Sequence, residues 1–469
     1  MPAVPLRVRT LLCAVLLLGL AGLPAAASAS STQTMTFEAP KDLLVPETRD
    51  GALAELDSLG VRSLRLVMVW RNVAPSANSA TKPDFDTTDP AAYDFSRFDA
   101  VIERAKQRGW TVLLTVSGPV PRWATASRKD NLTRPVAAEF AQFMTAVGRH
   151  YGSQVDQWSI WNEPNQPQFL LPQFDAHRHP LSPKIYRSLY KAGQKGLKAA
   201  GLGSAPVLLG ETSPVGTGKV VAPLVFLRGM LCLDSHYRRD KSCGKLTTAG
   251  YAHHAYTRRT GPTYVPPGPS NVTIGVLSRL TRALDRAGSA GAIPKKLPVY
   301  LTEFGIQSVP DTLAGVSLQQ QAEFRAISER IAYDNPRVRS FSQYLLRDDD
   351  PVQGVPKIAR YSGFESGLRT ATGKAKPSLA AFRLPLAVRS SGSTASVWGM
   401  VRPATGATTA TLQVRDGSKA AFKDLVTVTT NARGAFTRKV AYRSGRQFQL
   451  VWTAPDGTRY AGTAIRAYR

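Results

Sequence analysis

Cysteine is scarce in this sequence, with three among 469 residues. That scarcity excludes a disulfide-dense small scaffold and the paired Cys/His spacings of a structural zinc site. Acidic residues are also few: 33 Asp and Glu stand against 60 Lys and Arg, for a formal net charge of +27. Beyond the N-terminal region no apolar run reaches the ~20 residues a bilayer span needs. Phosphate-cradling Gly-rich loops and a nucleophilic Ser-His pair are missing too, so no metal and no organic cofactor is expected. The excess of basic residues suits an anionic surface, such as a cell-wall polymer or lipid headgroups, or simply reflects the residue usage of the host. Without interleaved aromatic and basic motifs, nucleic acid is not an expected partner. What remains is an ordinary globular composition, 43% apolar and 20% charged.

Residues 1–30 read as a signal peptide. Arg7 and Arg9 precede an apolar run over 11–23, and the small residues Ala25, Ala27 and Ala29 follow it. The alternative is a single membrane anchor, for which the run is short. The chain is therefore expected to be secreted, extracellular or wall-associated. Cys13 lies inside the apolar run, so cleavage leaves Cys232 and Cys243, an even pair that in an exported protein suggests one disulfide.

After the signal, strand-like apolar runs alternate with helix-like segments. Strands are expected over 35–37, 63–70, 111–117, 155–161, 206–210, 250–255, 299–303 and 340–346. Amphipathic helices are expected over 95–108, 136–151, 185–200 and 317–334. In the first of these, Phe98, Val101, Ile102 and Ala105 share one face and Gly109 ends it. Eight alternating units predict an α/β fold of the (β/α)8 TIM-barrel type over residues 31–387. Residues 388–469 lose the helical period. A linker-like Arg389-Ser390-Ser391-Gly392-Ser393 precedes five short alternating runs, which predict a small all-β sandwich domain. This module holds thirteen Lys and Arg against three Asp, and is the better candidate for contact with an anionic cell-wall surface. Trp398, Phe436 and Trp452 sit within its alternating pattern and read as core, although stacking on sugars is the alternative.

Two segments carry chemistry. Trp158-Ser159-Ile160-Trp161-Asn162-Glu163-Pro164-Asn165 runs a strand into a turn headed by a glutamate. Val299-Tyr300-Leu301-Thr302-Glu303-Phe304-Gly305 does the same three strands further round. Barrel enzymes build their active sites at the C-terminal ends of their strands, so both carboxylates are expected to face one cleft. Paired carboxyl groups suit cleavage of a glycosidic bond: one protonates the leaving oxygen, and the other attacks the sugar carbon or activates water. A strand-end glutamate taken alone is as easily a hydrogen-bonding residue of the barrel rim.

On these two motifs the chain resembles the glycoside hydrolases of clan A, with the families numbered 39 and 5 the nearest in likeness. The resemblance covers about residues 35–385. It implies a retaining glycosidase with Glu163 as acid/base and Glu303 as nucleophile, a carbohydrate substrate and no cofactor. It also implies roles for further residues. Arg65 resembles the second-strand arginine that holds the nucleophile, Asn162 the asparagine that bonds the sugar 2-hydroxyl, and His254 and Tyr256 the pair lining the cleft. Trp123, after the third strand, resembles a sugar-stacking loop aromatic, and Trp70 is a second candidate. Each of these has a plainer reading as core or rim. The clan usually places a tryptophan at the end of strand eight; here Tyr344 stands as the substitute. Asp348, Asp349 and Asp350 form an acidic run near that rim, suited to a cation, to substrate or to solvent. Glu211 is a competing carboxylate in a poorer context. The same residues would serve a transglycosidase, and a non-catalytic wall-binding barrel is the remaining alternative.

Overall fold

The computed structural model describes residue 30 and residues 32–469. All but the last residue of the expected signal peptide lie outside the described residues. Eight parallel strands close into a barrel: β1 (Thr34–Glu38), β2 (Ser63–Val69), β3 (Thr111–Ser117), β4 (Gln157–Ile160), β5 (Val207–Thr212), β6 (Gly250–His254), β7 (Val299–Glu303) and β8 (Val338–Tyr344). Closure comes from β1, which pairs with β8 from Thr34–Ser340 to Glu38–Tyr344 and with β2 at Phe37–Leu64. The first strand, the weakest in the sequence, is thus the one that seals the ring.

Helices alternate with these strands: α1 (Pro40–Leu43), α2 (Pro46–Ser58), α3 (Ser96–Gln107), α4 (Ala137–Tyr151), α5 (Ser182–Ala199), α6 (Pro223–Met230), α7 (Leu277–Ser289), α8 (Leu318–Tyr333) and α9 (Pro377–Arg383). In α3 the four residues at helical spacing, Phe98, Val101, Ile102 and Ala105, are its buried ones. Helix α8 begins at a capping box in which Ser317 and Gln320 satisfy each other's backbone. Helices α4 and α5 pack closely because Gly196 has no side chain. A Cβ there would collide with the Ala141 carbonyl and lie 2.6 Å from the Met144 Cβ.

The C-terminal residues form two antiparallel sheets. The strands are β9 (Leu386–Ser391), β10 (Thr394–Met400), β11 (Thr409–Asp416), β12 (Lys423–Thr429), β13 (Ala435–Ala441), β14 (Arg446–Thr453), β15 (Arg459–Ala461) and β16 (Ile465–Arg466). One sheet runs β13-β10-β9 and the other β12-β11-β14-β15, with β16 also on β14. The segment read as a linker is instead the end of β9 and the turn of the β9–β10 hairpin. Ser and Gly are turn residues as well as linker residues, and only the pairing partner tells them apart. Trp398, Phe436 and Trp452 are buried, as their alternation predicted.

The sandwich sits directly on α8. Trp398 lies against Tyr333 with ring centroids 5.5 Å apart, and Arg330 donates to the Ser396 carbonyl at 2.9 Å. Beneath them Glu329 accepts from Arg325 at 2.7 Å and from Arg402 at 2.5 Å, all three side chains being almost fully buried. Removing Glu329 strands two buried guanidinium groups. Glu329→Ala is therefore expected to lower stability by about 3–5 kcal/mol, read from the urea midpoint. A loss under about 1 kcal/mol, the range of an exposed pair, would refute this account of the docking.

Candidate active site

Glu163 and Glu303 stand at the C-terminal ends of β4 and β7, and an oxygen of one lies within 4.8 Å of an oxygen of the other. The turn that presents Glu163 is strained. Trp161 has φ of 72° and Glu163 of 39°, left-handed values that cost non-glycine residues ~1–3 kcal/mol each. Several bonds hold it in place. The Trp161 amide donates to Val116 O at 2.9 Å, the Asn162 amide to Ser117 Oγ at 3.0 Å and the Glu163 amide to Glu211 O at 3.0 Å. The Trp161 indole donates to Phe169 O at 3.0 Å, and its ring is buried edge-on against Phe140.

Beneath the pair lies Arg65, fully buried on β2. Its Nη1 donates to Glu38 and, at 3.0 Å, to Glu303 Oε2. Its Nη2 donates to Asn162 Oδ1 at 2.6 Å and to Glu211 Oε2 at 2.5 Å. Arg65 is thus sealed beneath the cleft floor rather than exposed on it, and it positions acids, Glu303 among them. His254 is also fully buried. Its Nδ1 lies 2.9 Å from Glu163 Oε1 and 3.7 Å from Glu303 Oε2. Tyr256 donates to Glu303 Oε1 at 2.7 Å.

The two glutamates are pushed apart electrostatically. Burial raises the Glu163 carboxyl above its ordinary range, and its bond to His254 offsets this only in part. Burial acts in the same sense on Glu303, but His254, Arg65 and Tyr256 together outweigh it and hold that carboxyl below its ordinary range. Burial likewise works against the charged form of His254, yet Glu303 and Glu163 raise it. Glu163, His254 and Glu303 each offer an atom at metal-ligand spacing. A cation there would lie beside the Arg65 guanidinium, which already occupies one oxygen of Glu303, and Tyr256 occupies the other.

The cleft above has a volume of about 830 Å³. Glu38, Asn162, Glu163 and Glu303 line its floor, and Phe169, Tyr256, Tyr344 and Phe364 stand among its walls. Tyr344 meets Phe364 edge-on at 5.0 Å, so the residue expected in place of a strand-eight tryptophan does border the cleft. Trp123 does not. It is 2% exposed, its indole donates to Pro75 O at 3.2 Å, and its ring packs edge-on against Trp70 and Phe85. The loop carrying Phe85 folds over it, so it belongs to the core, as does Trp70, stacked on Phe143. The acidic run is consumed structurally: Asp348 pairs with Lys376 at 2.6 Å, Asp349 accepts the Phe364 amide at 2.8 Å and Asp350 pairs with Lys41 at 3.1 Å. Cys232 and Cys243 form the expected disulfide, with Cα atoms 6.2 Å apart.

Sequence reasoning missed Glu38, Phe169 and Phe364. Glu38 obeys the rule that found Glu163 and Glu303, a carboxylate ending a strand, but its strand was too weak to draw notice. Burial raises the Glu38 carboxyl to about 7, against the pull of Arg65 and with the push of Glu303. Between the ordinary 4.5 and about 7 the folded state keeps a proton that the unfolded chain has released. The contribution of Glu38 to stability is thus complete below 4.5 and lost as pH rises through about 7. Glu38→Gln cannot titrate, so it is expected to gain stability relative to wild type across that window and to run parallel outside it. Urea unfolding from about pH 4 to about pH 8 tests this. Parallel curves throughout would show that Glu38 is already ionised.

The chain matches no protein-family profile and no curated protein in sequence. Solved structures do resemble it. A family 39 glycoside hydrolase from the gut symbiont Bacteroides cellulosilyticus WH2 aligns with a TM-score of 0.51 at 15% identity, over 89% of this chain and 81% of its own. A glucosidase from Croceicoccus marinus aligns at 0.52 with 13% identity, over 90% and 96%. A monomeric beta-xylosidase from Caulobacter crescentus CB15 aligns at 0.51 with 15% identity, over 90% and 96%. The share of this chain that is matched exceeds the barrel by itself. This chain thus has the fold of these glycosidases, a closed (β/α)8 barrel with an appended β-sandwich.

Proposed function

We propose that this protein is a retaining glycoside hydrolase that cleaves β-glycosidic bonds, with Glu303 as nucleophile and Glu163 as acid/base. One observation carries the reading: two strand-end carboxylates share a cleft with oxygens within 4.8 Å, one favoured as the ion and the other as the acid. Oxygens this close suit the ~5–5.5 Å separation of retaining pairs better than the ~6.5–9.5 Å that leaves room for a water in inverting ones. The fold shared with a glucosidase and a beta-xylosidase supports a carbohydrate substrate.

In the first step a Glu303 oxygen bonds to the anomeric carbon as the bond to the leaving oxygen breaks, and Glu163 gives that oxygen its proton. In the second step Glu163 takes a proton from water, the water oxygen attacks the same carbon, and Glu303 leaves. Arg65 and Tyr256 keep Glu303 ionised and aimed. His254 returns Glu163 toward the anion once its proton is gone. Asn162 is placed to bond the sugar beside the reacting carbon, and Tyr344 and Phe364 to contact its faces. We also infer export, because the Cys232–Cys243 disulfide suits an oxidising compartment. The basic sandwich then suits contact with an anionic wall surface.

Turnover of aryl β-glycosides tests the assignment. Glu303→Ala is expected to lose activity by about 10⁴-fold or more, and azide to restore it with formation of the inverted α-glycosyl azide. Glu163→Ala is expected to lose about 10²–10⁴-fold with poor leaving groups and little with good ones, with azide giving the β-glycosyl product. In wild type kcat/KM is expected to rise with pH as Glu303 ionises and to fall as the raised Glu163 loses its proton. Glu163→Gln is expected to abolish the falling limb for an activated leaving group. An unchanged rate in Glu303→Ala would refute the assignment.

A further inference from the structure

The connection between β6 and α7, residues 255–276, touches two cavities. Near its start Arg258 and Arg259 line a hollow of about 430 Å³ that shares Tyr256 with the cleft. Further along, Pro269 and Ser270 line a separate cavity of about 470 Å³ between α6 and α7. Four arginines line this second cavity: Arg228 from α6, and Arg279, Arg282 and Arg286 from α7. The three on α7 are spaced three and four apart, which places them along one helical face.

Tyr237 organises the cluster. It is 9% exposed, with the Arg286 guanidinium carbon 4.2 Å and that of Arg228 5.7 Å from its ring centroid. The loop that delivers it is closed by the Cys232–Cys243 disulfide, and Tyr237 itself takes a left-handed φ of 65°. Arg286 also donates to the His236 carbonyl at 3.1 Å, and Arg279 to the carbonyls of Gly268 and Asn271 at 3.0 and 3.1 Å. These contacts orient the guanidinium groups and leave their charge uncompensated. Among the described residues no carboxylate lines the cavity and none of the four arginines has an ion pair. The acids nearest in sequence are engaged elsewhere, Asp234 by Arg238 and Asp285 by Arg337, each at 2.7 Å.

Four cations gathered without a counter-charge repel one another, and a bound anion relieves that repulsion through charge-assisted, fork-like hydrogen bonds. We propose that this cavity is an accessory binding site for the acid groups of an anionic, uronate-bearing glycan. That the anion is carried by a glycan rests on the glycosidase reading. The cleft walls point to the same chemistry. Among the described residues its only carboxylates are those of the floor, Glu38, Glu163 and Glu303, whereas Arg97 on its rim and Arg258 and Arg259 beside it have no ion pair.

Isothermal titration with a size-defined oligogalacturonate, and with a neutral xylo-oligosaccharide of equal length, tests the site in wild type and in Arg282→Gln/Arg286→Gln. Wild type is expected to bind the oligogalacturonate in preference to the neutral sugar, and the double variant to bind it about tenfold or more weakly. Aryl-glycoside turnover in the double variant is expected to stay within about twofold of wild type, which separates this site from the cleft. A charge-matched control, Lys191→Gln/Lys198→Gln on α5, is expected to bind as wild type does. Equal loss in that control, equal binding by the double variant, or no oligogalacturonate binding would each overturn the proposal. Binding of phosphatidylglycerol vesicles that is lost in the double variant, without oligogalacturonate binding, would replace the glycan by a lipid surface. If aryl-glycoside turnover fails in wild type while oligogalacturonate binding depends on Arg282 and Arg286, the glycosidase reading falls and the anion site stands.

Discussion

Arg65 is a guanidinium sealed inside a closed barrel, bonded to three carboxylates and one amide from four other strands or strand ends. Removing such a group from water costs several kcal/mol, and the cost is offset only where its donors meet well-placed acceptors. Glu38, Glu211 and Glu303 are therefore tied to β2 as firmly as β2 is tied to them. The C-terminal end of the barrel is an ionic layer, and the strand ends that carry the cleft are aligned through it. The strain in the Trp161–Glu163 turn is tolerable because this layer and the backbone bonds to Val116, Ser117 and Glu211 determine the turn from several sides at once.

The same layer explains how two glutamates of identical chemistry come to differ. Glu303 is buried and Glu163 largely so, and desolvation alone raises both. Glu303 alone has a permanent cation and a tyrosine hydroxyl on its oxygens, whereas Glu163 has a histidine whose own charge depends on the two acids beside it. A fixed charge beneath one carboxylate and a titratable one beside the other give the pair the asymmetry that the proposed acid and nucleophile require.

Aromatic residues divide between core and cleft according to what covers them. Trp70 and Trp123 carry sequence contexts as suggestive as any, yet Trp123 ends up packed against Phe85 and Trp70 stacked on Phe143. Tyr344 and Phe364 stand in the open because the acidic run beside them is spent on anchoring. Asp348 holds Lys376, Asp349 holds the Phe364 amide and Asp350 holds Lys41, and these bonds fix the long connection after β8 along the rim. Charges that read as a ligand set in one dimension act as staples in three.

Much of this protein was legible in its sequence. The alternation of apolar strands with 3.6-period helices determined the barrel, since each pattern matches only one way of burying its apolar side. The loss of that period after residue 387 marked the sandwich. Glu163 and Glu303 were recognisable because a carboxylate at the end of an apolar strand has few reasons to be there. Glu38 escaped because its strand is short and half polar, and its partner Arg65 is 27 residues away in sequence. Which tryptophan is covered, which aspartate is paired, whether Arg389–Ser391 is tether or strand, and where four arginines from two helices and a disulfide-closed loop converge were decided only by the tertiary structure. Local pattern records which face of an element is apolar. Coverage, pairing and charge depend on what the rest of the chain brings to that face.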